Sequence, residues 1–165
     1  MSGEFGRLYR AYADDVFRFA LYLCGDRAEA EDIASETFVH AFAAREPVRM
    51  GTAKGYLLTI ARNLHLQRAR TRSRQVPLDA ELRDPRAGPE LQGERSEELA
   101  AALEGLQRLP EPTRAALLMS AVDGLPHDEI ARSLGLSVGA VKVRIHRARL
   151  ALAGVRSRPD RKDTT

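Results

Sequence analysis

Tryptophan is absent from the 165 residues, and aromatic side chains make up only 5% of the chain. No stretch shows the alternation of β-branched and polar residues that is typical of a strand. Alanine and leucine, by contrast, are abundant, and this composition suits helices better than sheets. The sequence therefore predicts an all-α fold.

Cysteine is also scarce, and Cys24 is the only one in the sequence. One cysteine excludes an internal disulfide, and no C-x-x-C pair or Cys/His cluster offers a zinc site. We interpret Cys24 as a small buried hydrophobe rather than a redox sensor. The four histidines are scattered, and no nucleophile–base pair or Gly-rich phosphate loop stands out. We therefore predict no metal, no cofactor and no catalytic residue.

Long apolar runs are missing as well. No segment approaches the ~20 apolar residues that a membrane-spanning helix needs, and the N-terminus lacks the pattern of a signal peptide. We expect no membrane insertion and a cytoplasmic protein.

Charge is unevenly placed, although the net charge is only +3. Residues 26–36 hold five acids and one Arg, whereas residues 62–74 hold five Arg and no acid. An asymmetry of this kind suggests two different partners, one of them polyanionic.

The apolar spacing predicts two small helical domains joined by a flexible linker. Residues 1–71 contain three amphipathic stretches, at 4–23, 26–44 and 52–71, and form the first domain. Proline and glycine interrupt residues 72–93, which we interpret as the linker. Helical spacing returns in residues 94–154, the second domain, and a basic tail follows at 155–165.

The second domain ends in a pattern typical of a helix-turn-helix. Residues 128–134 predict a short helix, Gly135 can end it in the left-handed conformation, and Ser137 can cap the next helix. That helix has one apolar stripe, and a different set of residues points the other way: Gly139, Lys142, Val143, His146 and Arg147. Such a helix fits the major groove of DNA. The alternative is a solvated amphipathic helix in an ordinary bundle.

Three segments resemble a known family. They are GDRAEAEDIASETFVHAF at 25–42, YLLTIARNL at 56–64, and LQRLPEPTRAALLMSAVDGLPHDEIARSLGLSVGAVKVRIHRAR at 106–149. In this order they closely resemble the extracytoplasmic-function (ECF) sigma factors of bacterial RNA polymerase. The resemblance implies a region 2 domain in 1–71 and a region 4 domain in 94–154, the linker and tail lying outside it.

The resemblance places the contact with core polymerase on the second helix. The implied residues are Asp26, Glu29, Asp32, Ser35, Glu36 and Phe38. Carboxylates at i, i+3 and i+4 would form an acidic patch for a basic partner. Ser35 stands where many family members have Gln, and the alternative for the whole patch is a solvated acidic face.

The resemblance also implies two DNA contacts. The minus-10 element would be bound as single-stranded DNA by the loop 45–51 and the third helix, with one base flipped out of the strand and captured there. The candidates are Arg49, Met50, Gly51, Thr52, Lys54, Arg62, Asn63 and Arg68. Tyr56, where the family usually has Trp, is expected to pack in the core. Arg70, Arg72 and Arg74 are interpreted as nonspecific phosphate contacts or solubilising charge.

In the terminal helix, Lys142, Val143, His146 and Arg147 would read the duplex minus-35 element, while Ser137 and Arg144 would hold phosphates. The resemblance thus implies a non-catalytic sigma factor that binds core polymerase and promoter DNA and is controlled by an anti-sigma factor. The alternative is a free-standing helix-turn-helix regulator. That function would leave the acidic second helix and the Arg-rich third helix unexplained.

Overall fold

The computed structural model describes residues 2–44, 53–74 and 97–157. These segments are helical apart from short turns, and none of them contains a strand. The predicted all-α fold is therefore confirmed. The chain divides into two compact units, residues 1–95 and 96–165. The predicted loop 45–51 and most of the predicted linker and tail lie outside the described residues.

The described residues of the first unit form three helices: α1 (Ser2–Cys24), α2 (Arg27–Ala43) and α3 (Ala53–Arg74). Gly25 ends α1 with φ +77°, and its N–H donates to the Leu21 carbonyl at 2.7 Å. Asp26 then caps α2, because its carboxylate accepts from the backbone N–H of Ala28 at 3.0 Å. The turn between α1 and α2 is thus fixed by Gly25 and by the Asp26 cap.

Each pair of these helices is in contact, and their apolar faces form one core. Phe19 and Leu23 of α1, Ile33 of α2, and Leu57 and Leu58 of α3 are fully buried there. Burying each such side chain stabilises the fold by about 1.5–3 kcal/mol.

The second unit contains α4 (Glu97–Arg108), α5 (Glu111–Leu117), α6 (His127–Leu134) and α7 (Val138–Ser157). Helix α5 continues into one π-helical turn, Leu118–Val122, in which the Asp123 N–H donates to the Leu118 carbonyl at 3.1 Å. The apolar spacing alone indicates one regular helix over 113–122, whereas the helix begins at Glu111 and ends in this π turn.

Buried Arg114 joins α5 to the end of α4. Its guanidinium donates to the carbonyls of Leu106 at 2.8 Å and Leu109 at 2.9 Å. Carbonyls at a helix C-terminus have no partner within their own helix, and the cation satisfies them. This contact fixes the α4–α5 turn, and α7 packs against both of these helices.

Candidate partner and DNA-binding surfaces

The turn between α6 and α7 has the geometry that the sequence predicts. Gly135 adopts φ +69°, and the N–H of Leu136 donates back to the Ala131 carbonyl at 3.0 Å. Ser137 Oγ accepts from the backbone N–H of Ala140 at 3.0 Å and so caps α7. Both helix ends of the helix-turn-helix are therefore confirmed.

Helix α7 has two distinct faces. Val141, Ile145 and Ala148 are buried against the rest of the unit. The residues predicted for the opposite side are all exposed: Gly139, Lys142, Val143, His146 and Arg147. This face presents cations beside an apolar side chain, Val143, which is 47% exposed. Such a set can hold phosphates, contact guanine edges and pack against a thymine methyl.

The two residues predicted to hold phosphates have roles inside the unit. Ser137 is exposed, but its hydroxyl is engaged by the N-terminus of α7. Arg144 is half-buried, and its guanidinium donates to Thr113 Oγ1 on α5 at 3.5 Å. The sequence pattern on α7 alone could not predict this contact, because Thr113 lies 31 residues away.

The six residues of α2 that were predicted to contact core polymerase differ in solvent exposure. Asp32 and Ser35 are exposed, and the Glu36 side chain is 46% exposed. Asp26 is half-buried at the N-cap. Glu29 and Phe38 are buried, with only 6% and 4% of their surface accessible. In this conformation Glu29 and Phe38 cannot be presented to a partner.

Phe38 belongs instead to an aromatic cluster between α1 and α2. Its ring lies 4.9 Å from that of Tyr9 and 6.4 Å from that of Phe5, in edge-on arrangements. Phe5 also meets Phe42 at 4.9 Å. Phe38 therefore fixes the position of α2 against α1.

Some carboxylates of the acidic patch on α2 are engaged in ion pairs with arginines of α3. Arg68 Nη2 lies 2.6 Å from Glu36 Oε1, and Arg68 Nη1 lies 4.0 Å from Asp32 Oδ2. Arg72 pairs with buried Glu29. These side chains line a groove of about 470 Å³ between the two helices. The sequence placed the acids and Arg68 at different binding sites, whereas the structure brings them together.

The minus-10 candidates are only partly described. Arg49, Met50, Gly51 and Thr52 lie outside the described residues. Lys54 makes an ion pair with Asp15 at 3.6 Å, Arg62 is half-buried, and Asn63 is exposed. Tyr56 is half-buried, and His65 is buried, with 9% of its surface accessible.

Cys24 sits in the environment of a structural cysteine. Its thiol donates to the Asp26 carbonyl at 3.4 Å. Burial is the main cause that raises the pKa of this thiol to about 12. Because the thiolate is the reactive form, the raised pKa argues against a redox sensor, although Cys24 is half-buried and not fully buried.

Within the described segments, no group of three or more His, Cys, Asp or Glu side chains could hold a metal ion. Among the helices described here, none is both long and apolar enough to cross a membrane.

Comparison with known proteins agrees with this geometry. The model of Sigma-70 region 2 matches residues 8–75, and that of Sigma-70, region 4 matches residues 97–152. The ECF RNA polymerase sigma factor SigE of Mycolicibacterium smegmatis is 37% identical over 88% of this chain and 58% of its own length. SigW of Bacillus subtilis is 30% identical over 90% of this chain and 86% of its own length.

A solved structure shares the fold. The sigma factor RpoE from Bartonella quintana, in complex with the anti-sigma factor NepR, has a TM-score of 0.79 and 24% identity. The match covers 94% of this chain and 98% of that one.

The two matched regions define a protein of the sigma-70 class. Within it, the chain belongs to the ECF RNA polymerase sigma factors. The chain spans only 58% of the length of SigE.

Proposed function

We propose that this protein is a non-catalytic subunit of bacterial RNA polymerase that directs the core enzyme to specific promoters and helps to melt them. The observation that supports the proposal best is the exposed face of α7, which carries Lys142, Val143, His146 and Arg147. This helix follows the short turn that begins at Gly135, the residue that ends α6. No catalytic residue, metal or cofactor is assigned.

Helix α7 would lie in the major groove of the minus-35 element. Lys142 and Arg147 are exposed, and they can donate to guanine O6 and N7 or to phosphates. His146 and Val143 complete the reading face. Arg144 and Ser137 would act indirectly, because Arg144 holds α7 against α5 and Ser137 caps α7.

Core polymerase would bind α2 through Asp32, Ser35 and Glu36. These residues lie on the accessible side of the helix, and two of them are carboxylates that attract a basic surface. Asp26, Glu29 and Phe38 would support this surface by capping α2 and by fixing it against its neighbours.

Promoter melting is assigned to residues 45–52 and the outer face of α3. A loop that captures one unstacked base removes it from the duplex equilibrium, which shifts the promoter toward the open state. Asn63 is exposed on α3 and could hydrogen-bond a base or the strand backbone. Arg49, Met50, Gly51 and Thr52 remain sequence-based candidates for the base pocket.

An anti-sigma factor is proposed as a further partner, and the cytoplasm as the location. Regulation by an anti-sigma factor is what the family resemblance implies. The Bartonella quintana sigma factor was solved with such a partner.

Runoff transcription with purified core polymerase tests the proposal. Adding the protein should produce transcripts that start at a fixed distance from a shared pair of promoter elements. A promoter library sequenced from the transcripts would define those elements. If the protein stimulates no transcription and instead binds duplex operators tightly without core polymerase, it is a free-standing regulator.

A further inference from the structure

Arg68 lies on the side of α3 that faces α2. Its guanidinium bridges Glu36 and Asp32, at 2.6 Å and 4.0 Å, and only 31% of its side chain is exposed. One turn further along, Arg72 pairs with Glu29, whose carboxylate is nearly inaccessible. The two arginines and three acids form two neighbouring groups of ion pairs along the same groove, which together we call the α2–α3 ladder.

This position separates Arg68 from the exposed outer face of α3. Residues two apart on a helix point about 160° away from each other, so Arg68 and Arg70 face opposite sides. Arg70 and Asn63 are exposed on that outer face. To follow a nucleic-acid strand lying there, Arg68 would have to give up both of its carboxylate contacts.

The ladder fixes two acids that a partner would otherwise have to order. The side chains of Asp32 and Glu36 are 68% and 46% exposed, so without a partner they would sample several rotamers. Arg68 holds them along one edge of the groove. A carboxylate accepts more than one hydrogen bond, so each acid keeps capacity for an incoming cation.

We propose that Arg68 is a positioning residue of the core-polymerase surface and not a contact for the minus-10 strand. It holds Glu36 and Asp32 in the geometry that a basic element of the core enzyme meets. Arg72 and Glu29 anchor the buried end of the same ladder. This inference rests on the proposed function, in which α2 binds core polymerase.

The direction in which core-binding affinity changes when Arg68 is removed separates a positioning role from a purely electrostatic one. If α2 only supplied negative charge, removing any nearby cation would make the surface more acidic and would tighten core binding. If Arg68 positions the acids, removing it should weaken binding, because the partner must then order both side chains. Arg70→Ala removes the same charge from the opposite face of the same helix and is the matched control.

The experiment measures the dissociation constants of labelled R68A and R70A for core polymerase by fluorescence anisotropy. We expect R68A to raise Kd about three- to tenfold, the cost of ordering one or two side chains on binding. R70A should bind core within about twofold of the unaltered chain, since exposed charges are largely screened at physiological salt. R68K keeps the charge and should recover part of the affinity.

Repeating the R68A substitution in a chain that already lacks the two carboxylates shows whether Arg68 acts through Asp32 and Glu36. In a D32N/E36Q chain, the additional R68A change should cause no further loss, because contacts in one network are not additive. Thermal unfolding and circular dichroism of every variant check the fold. Should R68A lose helicity, R68M retains the apolar stem and repeats the test.

Two outcomes would overturn the inference. One is R68A binding core as tightly as R70A or more tightly. The other is normal core affinity of R68A together with weakened binding of the holoenzyme to a single-stranded minus-10 oligonucleotide, which would return Arg68 to the DNA site. A D32K variant is measured in parallel. If D32K also binds core normally, the assignment of α2 to core polymerase fails, whereas a defect in D32K alone rejects only the role of Arg68.

Discussion

Three cations on α7 lie within six residues of one another but have different surroundings. Lys142 and Arg147 are exposed, whereas Arg144 between them is half-buried and donates to Thr113. A half-buried guanidinium that is already engaged within its own unit has fewer N–H donors and less freedom to reach a phosphate. The exposed pair is therefore the better candidate for reading DNA.

Replacing Lys142 or Arg147 by Ala should reduce transcription in a promoter-dependent way. Loss of one base contact costs about 1–3 kcal/mol, which corresponds to roughly 5- to 150-fold in affinity for the cognate element. Runoff transcription on the cognate promoter and on one with a scrambled upstream element measures the difference. An equal loss on both templates would reduce these residues to nonspecific phosphate contacts.

Cys24 should resist alkylation in the folded protein. Burial raises the pKa of its thiol to about 12, so almost no thiolate exists near neutral pH. Because the folded pKa lies above the unfolded value of 9.0, the thiol's contribution to stability is fully present below pH 9 and is lost as pH rises toward 12.

The rate of iodoacetamide labelling at pH 8, followed by mass spectrometry, checks this environment. The folded chain should react much more slowly than the same chain in denaturant, which serves as the reference. Labelling at the denatured rate would show that the thiol is accessible, and would reopen its interpretation as a redox sensor.

At the scale of helices, Gly135 shows how one backbone angle fixes an element boundary. Its φ of +69° is unfavourable for any residue with a Cβ, yet nothing lies within 4 Å of where that Cβ would be. The penalty for G135A is therefore one of backbone conformation, about 1–2 kcal/mol, without a steric clash.

Chemical denaturation of G135A should show this loss of stability. G139A is the matched control, because Gly139 lies within α7 and its added Cβ would come no closer than 3.9 Å to another atom. Alanine is a better helix former than glycine, so G139A should be more stable by up to about 1 kcal/mol. Equal effects of the two substitutions would mean that the left-handed cap does not contribute to stability.

The apolar period predicted each helix within a few residues, because one face of every helix must be buried. Gly135 and Ser137 were also predictable, since caps are local chemistry. The α2–α3 ladder was not, because Arg68 and Glu36 lie 32 residues apart and only the packing of two helices brings them together. The burial of His65 and the π turn after Leu117 likewise depend on neighbours that the spacing within a single helix does not specify.

At the scale of the whole molecule, the acidic and the Arg-rich stretches of the sequence partly neutralise each other within the first unit. The acidic stretch 26–36 and the Arg-rich stretch 62–74 suggest two separate partners when considered as sequence. In the folded unit, Glu29, Asp32 and Glu36 pair with Arg68 and Arg72. Part of this charge is therefore already engaged within the unit, and the residues still exposed include Glu31, Asp32 and Ser35 on α2, and Asn63, Arg70 and Arg74 on α3.

Promoter melting depends on the whole molecule, because a sigma factor must hold core polymerase and duplex DNA while it captures a single strand. A variant with residues 45–51 replaced by a neutral Gly/Ser loop would lack Arg49 and Met50 but keep the exposed residues of α2 and α7. It should therefore bind core polymerase and the minus-35 element nearly normally. It should fail to open a duplex promoter, because no pocket would hold the flipped base.

Permanganate reactivity of promoter thymines measures that opening. The substituted chain should give no reactivity on a duplex promoter, and a template premelted at the minus-10 element should restore part of its transcription. The remaining deficit on the premelted template would be the base-specific share of the loop's contribution, since melting is no longer required there. If the substituted chain opens the duplex at the normal rate, capture does not involve this loop, and the assignment of residues 49–51 to the minus-10 strand must be abandoned.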